Sequence, residues 1–218
     1  MGCDIHCIVE KKGNDGIWKA IKGQGYLIKM YKEHLQEVIE EQNTEQISYY
    51  KKRISKVRKE QGLSSEWIFD DRHYELFALL ADVRNYDEWP ALFADRGLPP
   101  LPSITTQFEL RDWGRDAHSW THFSLKDIKD TNWDQKVIKT AVVEDETWEE
   151  FLQHPEWKHP RGYCRWSSST TANVRSWELS YRDIADRFFK KVVSKMEILA
   201  RHSPDGDEGV RLVVFFDN

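Results

Sequence analysis

Two residues near the start of the chain are out of character with the segment that carries them. The opening MGCDIHCIVE is a short apolar run with Asp4 and His6 set into it. In an extended strand, residues i and i+2 share a face, with Cα atoms roughly 6–7 Å apart. Asp4 and His6 can therefore converge on one atom above a sheet. That makes Asp-x-His a workable pair of ligands for zinc or a harder divalent metal. The competing reading is a core histidine held by a carboxylate for packing alone.

A second cluster lies in RDWGRDAHSWTH, with Asp112, Asp116, His118 and His122. Asp-x-His recurs there as Asp116 and His118, and two such pairs raise the expectation of one shared site. A histidine whose second nitrogen bonds a carboxylate is the usual arrangement behind a metal ligand. An exposed polar loop of Asx turns would carry the same residues. Asp217, with Asn218 beside it, stands after the last apolar run and could complete an acidic pocket. Arg72, Arg84 and Arg96 could clamp a phosphate bidentately, or simply pair with nearby acids. Cys164 has nothing but the adjacent Arg165 to mark it as a nucleophile. The sequence holds no Gly-rich phosphate loop, Gly-x-Ser-x-Gly elbow, zinc-ribbon cysteines or His-Glu-x-x-His motif.

The elements that must position these residues follow from periodicity. Cys3, Ile5, Cys7 and Val9 alternate with Asp4, His6, Ile8 and Glu10, which predicts a strand with two distinct faces. GNDG is a tight turn, and IWKAI returns as a second strand. Residues 27–66 read as a helical hairpin, or one long kinked helix, inserted into the domain. Asn43 and Gln46 resemble a capping box within it. RHYELFALLADVRN is a short helix, and RGLPPLPS a rigid loop. Residues 103–130 have weak periodicity. A helix is expected from Asp145, with Trp148, Phe151 and Leu152 inward. The strongest stripe runs over 181–200, capped by Ser180 with Asp183. VRLVVFFDN has almost no polar break and should be a central strand covered on both faces. The fold class expected is α+β over a single domain, 1–218. Its mixed or antiparallel central sheet contains the first and last strands, and helices cover it.

Bulk composition limits the function classes. The 218 residues are 39% hydrophobic and 32% charged, with a formal net charge of -5. That balance argues against general nucleic-acid binding, which needs clustered Lys and Arg. Ten Trp residues, many in polar surroundings, suit half-buried lids or stacking surfaces, or packing under long loops. Three cysteines without regular spacing point to a reducing compartment. Cys3 and Cys7 would lie roughly 13 Å apart on one strand, too far for a disulfide. No apolar run is long enough for a membrane span, and no leader pattern opens the chain. A cytoplasmic protein is expected.

Taken together, the motifs resemble a family of uncharacterised proteins that begin Met-Gly-Cys-Asp-Ile-His, common in bacteriophages, prophages and bacteria. The likeness rests on MGCDIHCIVE, RHYELFALLADVRN, RGLP, DAHSWTHFSL, SWELSYRDIADRF and VRLVVFFDN. His122 stands where the family pattern has Trp, and 29–66 has no counterpart. The shared blocks fall on Asp4, His6, Arg72, Tyr74, Asp82, Arg84, Arg96, His118, Ser119 and Asp217. The resemblance implies an accessory role in a phage-infected host cell.

Two functions are expected from these residues. In the first, an enzyme hydrolyses a phosphodiester bond of a small nucleotide, such as a host defence signal. Asp4, His6 and Asp217 would hold a divalent metal of unknown identity that activates water. His118 would act as general acid or base, with Arg84 or Arg96 stabilising the phosphate charge. Arg72, Tyr74, Ser119 and Trp120 would bind the ligand. In the second, the chain is a non-enzymatic anti-defence protein that sequesters a nucleotide or inhibits a host defence protein. The helical insertion favours a protein partner in that case.

Overall fold

The structure, a computed structural model, describes residues 3–21, 32, 35, 36, 38–40, 42–59 and 72–217. In chain order the strands are β1 (Ile5–Lys12), β2 (Trp18–Ala20), β3 (His118–Ser124), β4 (Lys136–Glu144), β5 (Ala172–Ser180) and β6 (Val210–Phe216). The helices are α1 (Thr44–Lys59), α2 (Tyr74–Ala81), α3 (Ile104–Trp113), α4 (Leu125–Asp130), α5 (Asp145–Gln153), α6 (Tyr181–Ile184), α7 (Asp186–Phe188) and α8 (Ser194–Ala200). The chain divides into two compact units. One comprises Met1–His73, Leu92–Thr131 and Phe188–Asn218; the other comprises Tyr74–Ala91 and Asn132–Arg187.

The first unit is built on an antiparallel four-stranded sheet of order β2-β1-β6-β3. The fold class is thus α+β, with the first and last strands in the middle of the sheet. All seven residues of β6 are buried, as expected for a strand with almost no polar break. The inward set of Cys3, just before β1, and Ile5, Cys7 and Val9 on it is at most 2% exposed. The other face is covered too, since Ile8 and Glu10 are fully buried. Cys3 and Cys7 are both buried. Gly13 and Gly16 close the turn into β2, with the Gly16 N–H on the Gly13 carbonyl at 2.9 Å.

One buried ion pair organises this sheet. Glu10 and Arg211 face each other across β1 and β6, and the Arg211 Nε donates to Glu10 Oε2 at 2.7 Å. The other Glu10 oxygen accepts from the Ser103 backbone N–H at 2.8 Å and the Thr106 hydroxyl at 2.6 Å. Arg211 gives its remaining nitrogens to the carbonyls of Pro100 and Leu101, both at 3.0 Å. Every strong polar atom of the pair is thereby satisfied, which is the condition for burying charge. The pair also seats the Pro-rich loop and the start of α3. Ser103 caps that helix by accepting the Thr106 N–H. Gly114, at φ +54°, ends it in a conformation that favours glycine.

Residues 103–130, weakly periodic in sequence, therefore form a helix, a strand and a second helix. α4 begins with a full capping box between Ser124 and Asp127. The predicted 181–200 helix is helical throughout most of its length but not continuous. Its capping box of Ser180 and Asp183 is present. A π-helical turn at Phe189–Val193 then breaks the regular bonding. The stripe stays buried because Phe188, Val192 and Met196 keep one face across that turn.

Of the 27–66 insertion, Val38–Glu40 are helical and α1 follows a break at Gln42 (φ +59°). The Gln46 N–H bonds Asn43 Oδ1 at 3.2 Å, as the capping motif predicts. Residues 32, 35 and 36 are helical as well, and 27–31, 33, 34, 37, 41 and 60–66 lie outside the described residues.

The second unit pairs β4 and β5 antiparallel over nine residues each. Neither strand is evident from the sequence, because exposed Lys136, Thr140, Ser176 and Glu178 dilute the apolar pattern. α2 has the expected apolar composition, with Leu76 through Ala81 buried. Lys139 is enclosed between Glu75 (3.2 Å) and Asp87 (2.8 Å), and the Tyr163 hydroxyl donates to Glu75 at 2.9 Å. α5 starts at Asp145 as expected, and Trp148 and Phe151 pack at Trp177. Leu152, expected inward, is 64% exposed. It follows Phe151 by one residue, about 100° around the helix, and so turns off the packed face.

No helix among the described residues is long and apolar enough to cross a membrane.

Candidate functional site

The end of the four-stranded sheet where β1 begins and β6 stops gathers four polar residues. His6 pairs with Phe215 in the β1–β6 ladder, and the two rings stack at 4.6 Å. Beyond Phe215, Asp217 and Asp4 hold each other. The Asp217 N–H donates to the Asp4 carbonyl at 3.3 Å, and the Asp4 N–H donates to Asp217 Oδ1 at 2.9 Å. Asp217 Oδ2 lies 3.2 Å from His6 Nε2. Arg72 grips Asp4 with Nε on one carboxylate oxygen and Nη2 on the other, the latter at 2.9 Å. Asp4, His6, Asp217 and Arg72 thus form one connected group.

Its electrostatics are graded by exposure. The side chains of His6 and Asp217 are 12% and 17% exposed, those of Arg72 and Asp4 61% and 41%. The hydrogen bond from Arg72 holds the Asp4 carboxyl below its ordinary range. Burial pushes His6 down, against the opposing pull of Asp217. His6 is accordingly held neutral near pH 7. Trp113, at the end of α3, tilts against His6 with ring centroids 4.6 Å apart. Trp120 stacks on Phe215 at 4.3 Å. Ile8, Ala20 and Val213 floor this aromatic cluster.

The second Asp-x-His pair does not join this group. His118 pairs with Phe216 and stacks on it at 6.2 Å, so it lies on the opposite face of the sheet from His6. Its Nδ1 is 2.9 Å from the Ser119 hydroxyl. Asp116 is exposed, and its backbone N–H bonds the Trp113 carbonyl at 3.0 Å. Parity is set by an irregularity between His118 and Thr121, where Ser119 takes φ +51°. His122, beyond it, returns to the His6 face and bonds the Gly97 carbonyl at 3.0 Å. Of the sequence-derived residues near this end, Trp120 joins the cluster; His118 and Ser119 do not.

The remaining arginines have structural partners. Arg96 pairs with Asp127 at 3.2 Å and covers the Phe93 ring at 4.9 Å. Arg84 and Tyr74 belong to the second unit, where the guanidinium lies 5.9 Å from the Tyr74 ring centroid and donates to the Tyr86 hydroxyl at 3.3 Å. Asp82 accepts from Asn85 at 2.7 Å. Cys164 is an exposed free thiol bridged by its backbone to Val142. Asn218 lies outside the described residues.

The carboxylate oxygens of Asp4 and Asp217 are all engaged in hydrogen bonds as folded. Both Asp4 oxygens are bonded to Arg72, and both Asp217 oxygens are bonded within the group. Among the described residues, no three or more His, Cys, Asp and Glu side chains are arranged to hold a metal ion.

Sequence reasoning missed Trp113 and Phe215 as walls of the site. Trp113 sits within the quoted RDWGRD, but nothing in that motif shows which strand it meets. Comparison with protein-family models, with curated proteins and with solved structures returns no match.

Proposed function

We propose that this chain is a phage or prophage accessory protein that acts on a small nucleotide at the His6 end of the four-stranded sheet. The observation that carries the reading is the His6–Asp217 pair walled by aromatic rings, with an Arg72 guanidinium at the same edge. Asp217 fixes the orientation of the imidazole, which then donates to or accepts from a ligand group in a repeatable geometry. Trp113 and Trp120 supply aromatic surface for a base. A phosphate competes with Asp4 for Arg72, since both are anions suited to the planar fork.

Phosphodiester hydrolysis by this group places His6 as general acid or base, because a neutral imidazole near pH 7 can accept a proton. The metal-assisted form of that reaction requires Arg72 to leave Asp4. Sequestration requires neither step and uses the same contacts.

The test is a panel of cyclic and linear nucleotides incubated with the full chain, with and without divalent ions. Retained ligand and products are then separated by mass after denaturation. Intact retained nucleotide marks sequestration and product marks hydrolysis. Either should be lost in His6→Gln at an unchanged melting temperature. The absence of both retention and turnover across the panel sinks the reading.

A further inference from the structure

Glu109 lies one helical turn before Trp113 on α3, and its side chain is almost wholly enclosed, at 1% exposure. Oε2 accepts the indole N–H of Trp113 at 3.0 Å. Oε1 is buried and has no hydrogen-bond partner among the described residues. A buried carboxylate with one bare oxygen is strongly unfavourable, whereas a carboxylic acid carries no charge to desolvate. Burial, reinforced by the charge of Asp112, raises Glu109 to about 8, with the Trp113 hydrogen bond acting in the opposite direction.

Among the described residues, the charged groups on the elements around it do not supply a counter-ion. On β2, Lys19 bonds Asp15 at 3.1 Å. On β1 and β6, Glu10 and Arg211 are closed on each other and on the α3 start. His6 on β1 meets the Trp113 ring, whose N–H Glu109 binds. Asp112, on the same helix as Glu109, is the neighbour whose charge acts on it, and it repels.

The consequence lies in what Glu109 touches. Its one acceptor bond goes to the indole that rests on His6, and His6 in turn bonds Asp217. Indole rings buried by apolar contact alone can rotate or slide; an indole whose N–H is bound cannot do so without losing that bond. We propose that Glu109 is a positioning residue for the His6–Asp217 pair, acting through Trp113. Near neutral pH it is an uncharged acceptor that pins the indole edge and keeps the ring face on the imidazole. The proposal concerns the same site as the nucleotide reading but needs no ligand. Its test uses the unliganded chain, so either idea can fail alone.

The experiment is NMR of the full chain, with the Trp113 indole N–H assigned through Trp113→Phe. In the wild type this resonance should show one titration step between about pH 6.5 and about pH 9.5. Glu109→Gln, which keeps an acceptor but cannot ionise, should abolish the step and keep the proton–proton contacts between the Trp113 and His6 rings. Glu109→Leu should lose those contacts. An indole resonance without a titration step in the wild type overturns the proposal. So does survival of the ring contacts in a folded Glu109→Leu. Should the Leu variant not fold, the comparison of wild type with Glu109→Gln decides the matter.

Discussion

Asp217 joins His6 to the start of β1: one carboxylate oxygen sits 3.2 Å from the His6 imidazole, the other accepts the Asp4 backbone N–H at 2.9 Å. Removing this carboxylate strips two partly buried groups of a partner. Asp217→Ala should cost about 1–3 kcal/mol in urea denaturation. Asp217→Asn, which keeps an acceptor for the Asp4 N–H, should recover most of that stability. It should not recover nucleotide retention if His6 orientation matters. Equal stability of Asp217→Ala and the wild type would show that the pair does not hold this edge.

The Glu10–Arg211 pair makes a larger claim on stability. Glu10→Gln leaves Arg211, 5% exposed, as a buried cation without its counter-charge. Losses from breaking such pairs run to about 3–5 kcal/mol. A combined Glu10→Met and Arg211→Met chain should be more stable than either single variant, because no lone charge is then buried. Denaturant midpoints of the three variants check the order. A loss under about 1 kcal/mol for Glu10→Gln would mean that water reaches the pair.

Arg72 should behave in the opposite way. Its bidentate grip on Asp4 is largely exposed, and exposed pairs contribute about 0–1 kcal/mol. Arg72→Ala should therefore leave the melting temperature nearly unchanged. It should weaken retention of a phosphate-bearing ligand by about tenfold or more, the loss expected for one charge-assisted contact. Unchanged retention by calorimetry would remove Arg72 from the site.

Glu109 sets a pH dependence whose sign is fixed by its shift. Its folded value of about 8 lies above the ordinary 4.5, so the native state favours the protonated form. The stability tied to that proton is fully present below about 4.5 and is lost as pH rises through about 8. The shift corresponds to a loss on the order of 5 kcal/mol at its upper bound. Glu109→Gln should flatten this part of the curve. Melting temperatures of both chains across that window measure it, and parallel curves would count against a titrating Glu109.

Much of the frame was legible because local rules carried it. Alternation placed Asp4 and His6 on one face, and the unbroken VRLVVFF run demanded a central strand. Ser180 with Asp183 marked a helix start. β4 and β5 were not legible, because a strand with one wetted face reads as polar sequence when its partner is unknown. The site was half legible. Asp217 could be matched with His6 because one follows and the other lies in strands that pair at the sheet centre. His118 could not be placed, since an irregularity of backbone at Ser119 decides its face and leaves no mark in composition. Trp113 and Glu109 depend on where α3 docks, which no spacing rule reports.

The β1–β6 ladder also dictates an order of events. It zips Ile5 to Phe216 and Lys11 to Val210, across nearly the full length of the chain. Closing a loop of that size has a large entropic cost before any contact compensates for it. During synthesis β1 waits, without its central neighbour, until β6 has left the ribosome. His6 meets Asp217 only after that closure. The histidine pair is therefore a late product of folding, and a chain cut before Val210 would present an orphaned β1 edge, open to pairing with other chains.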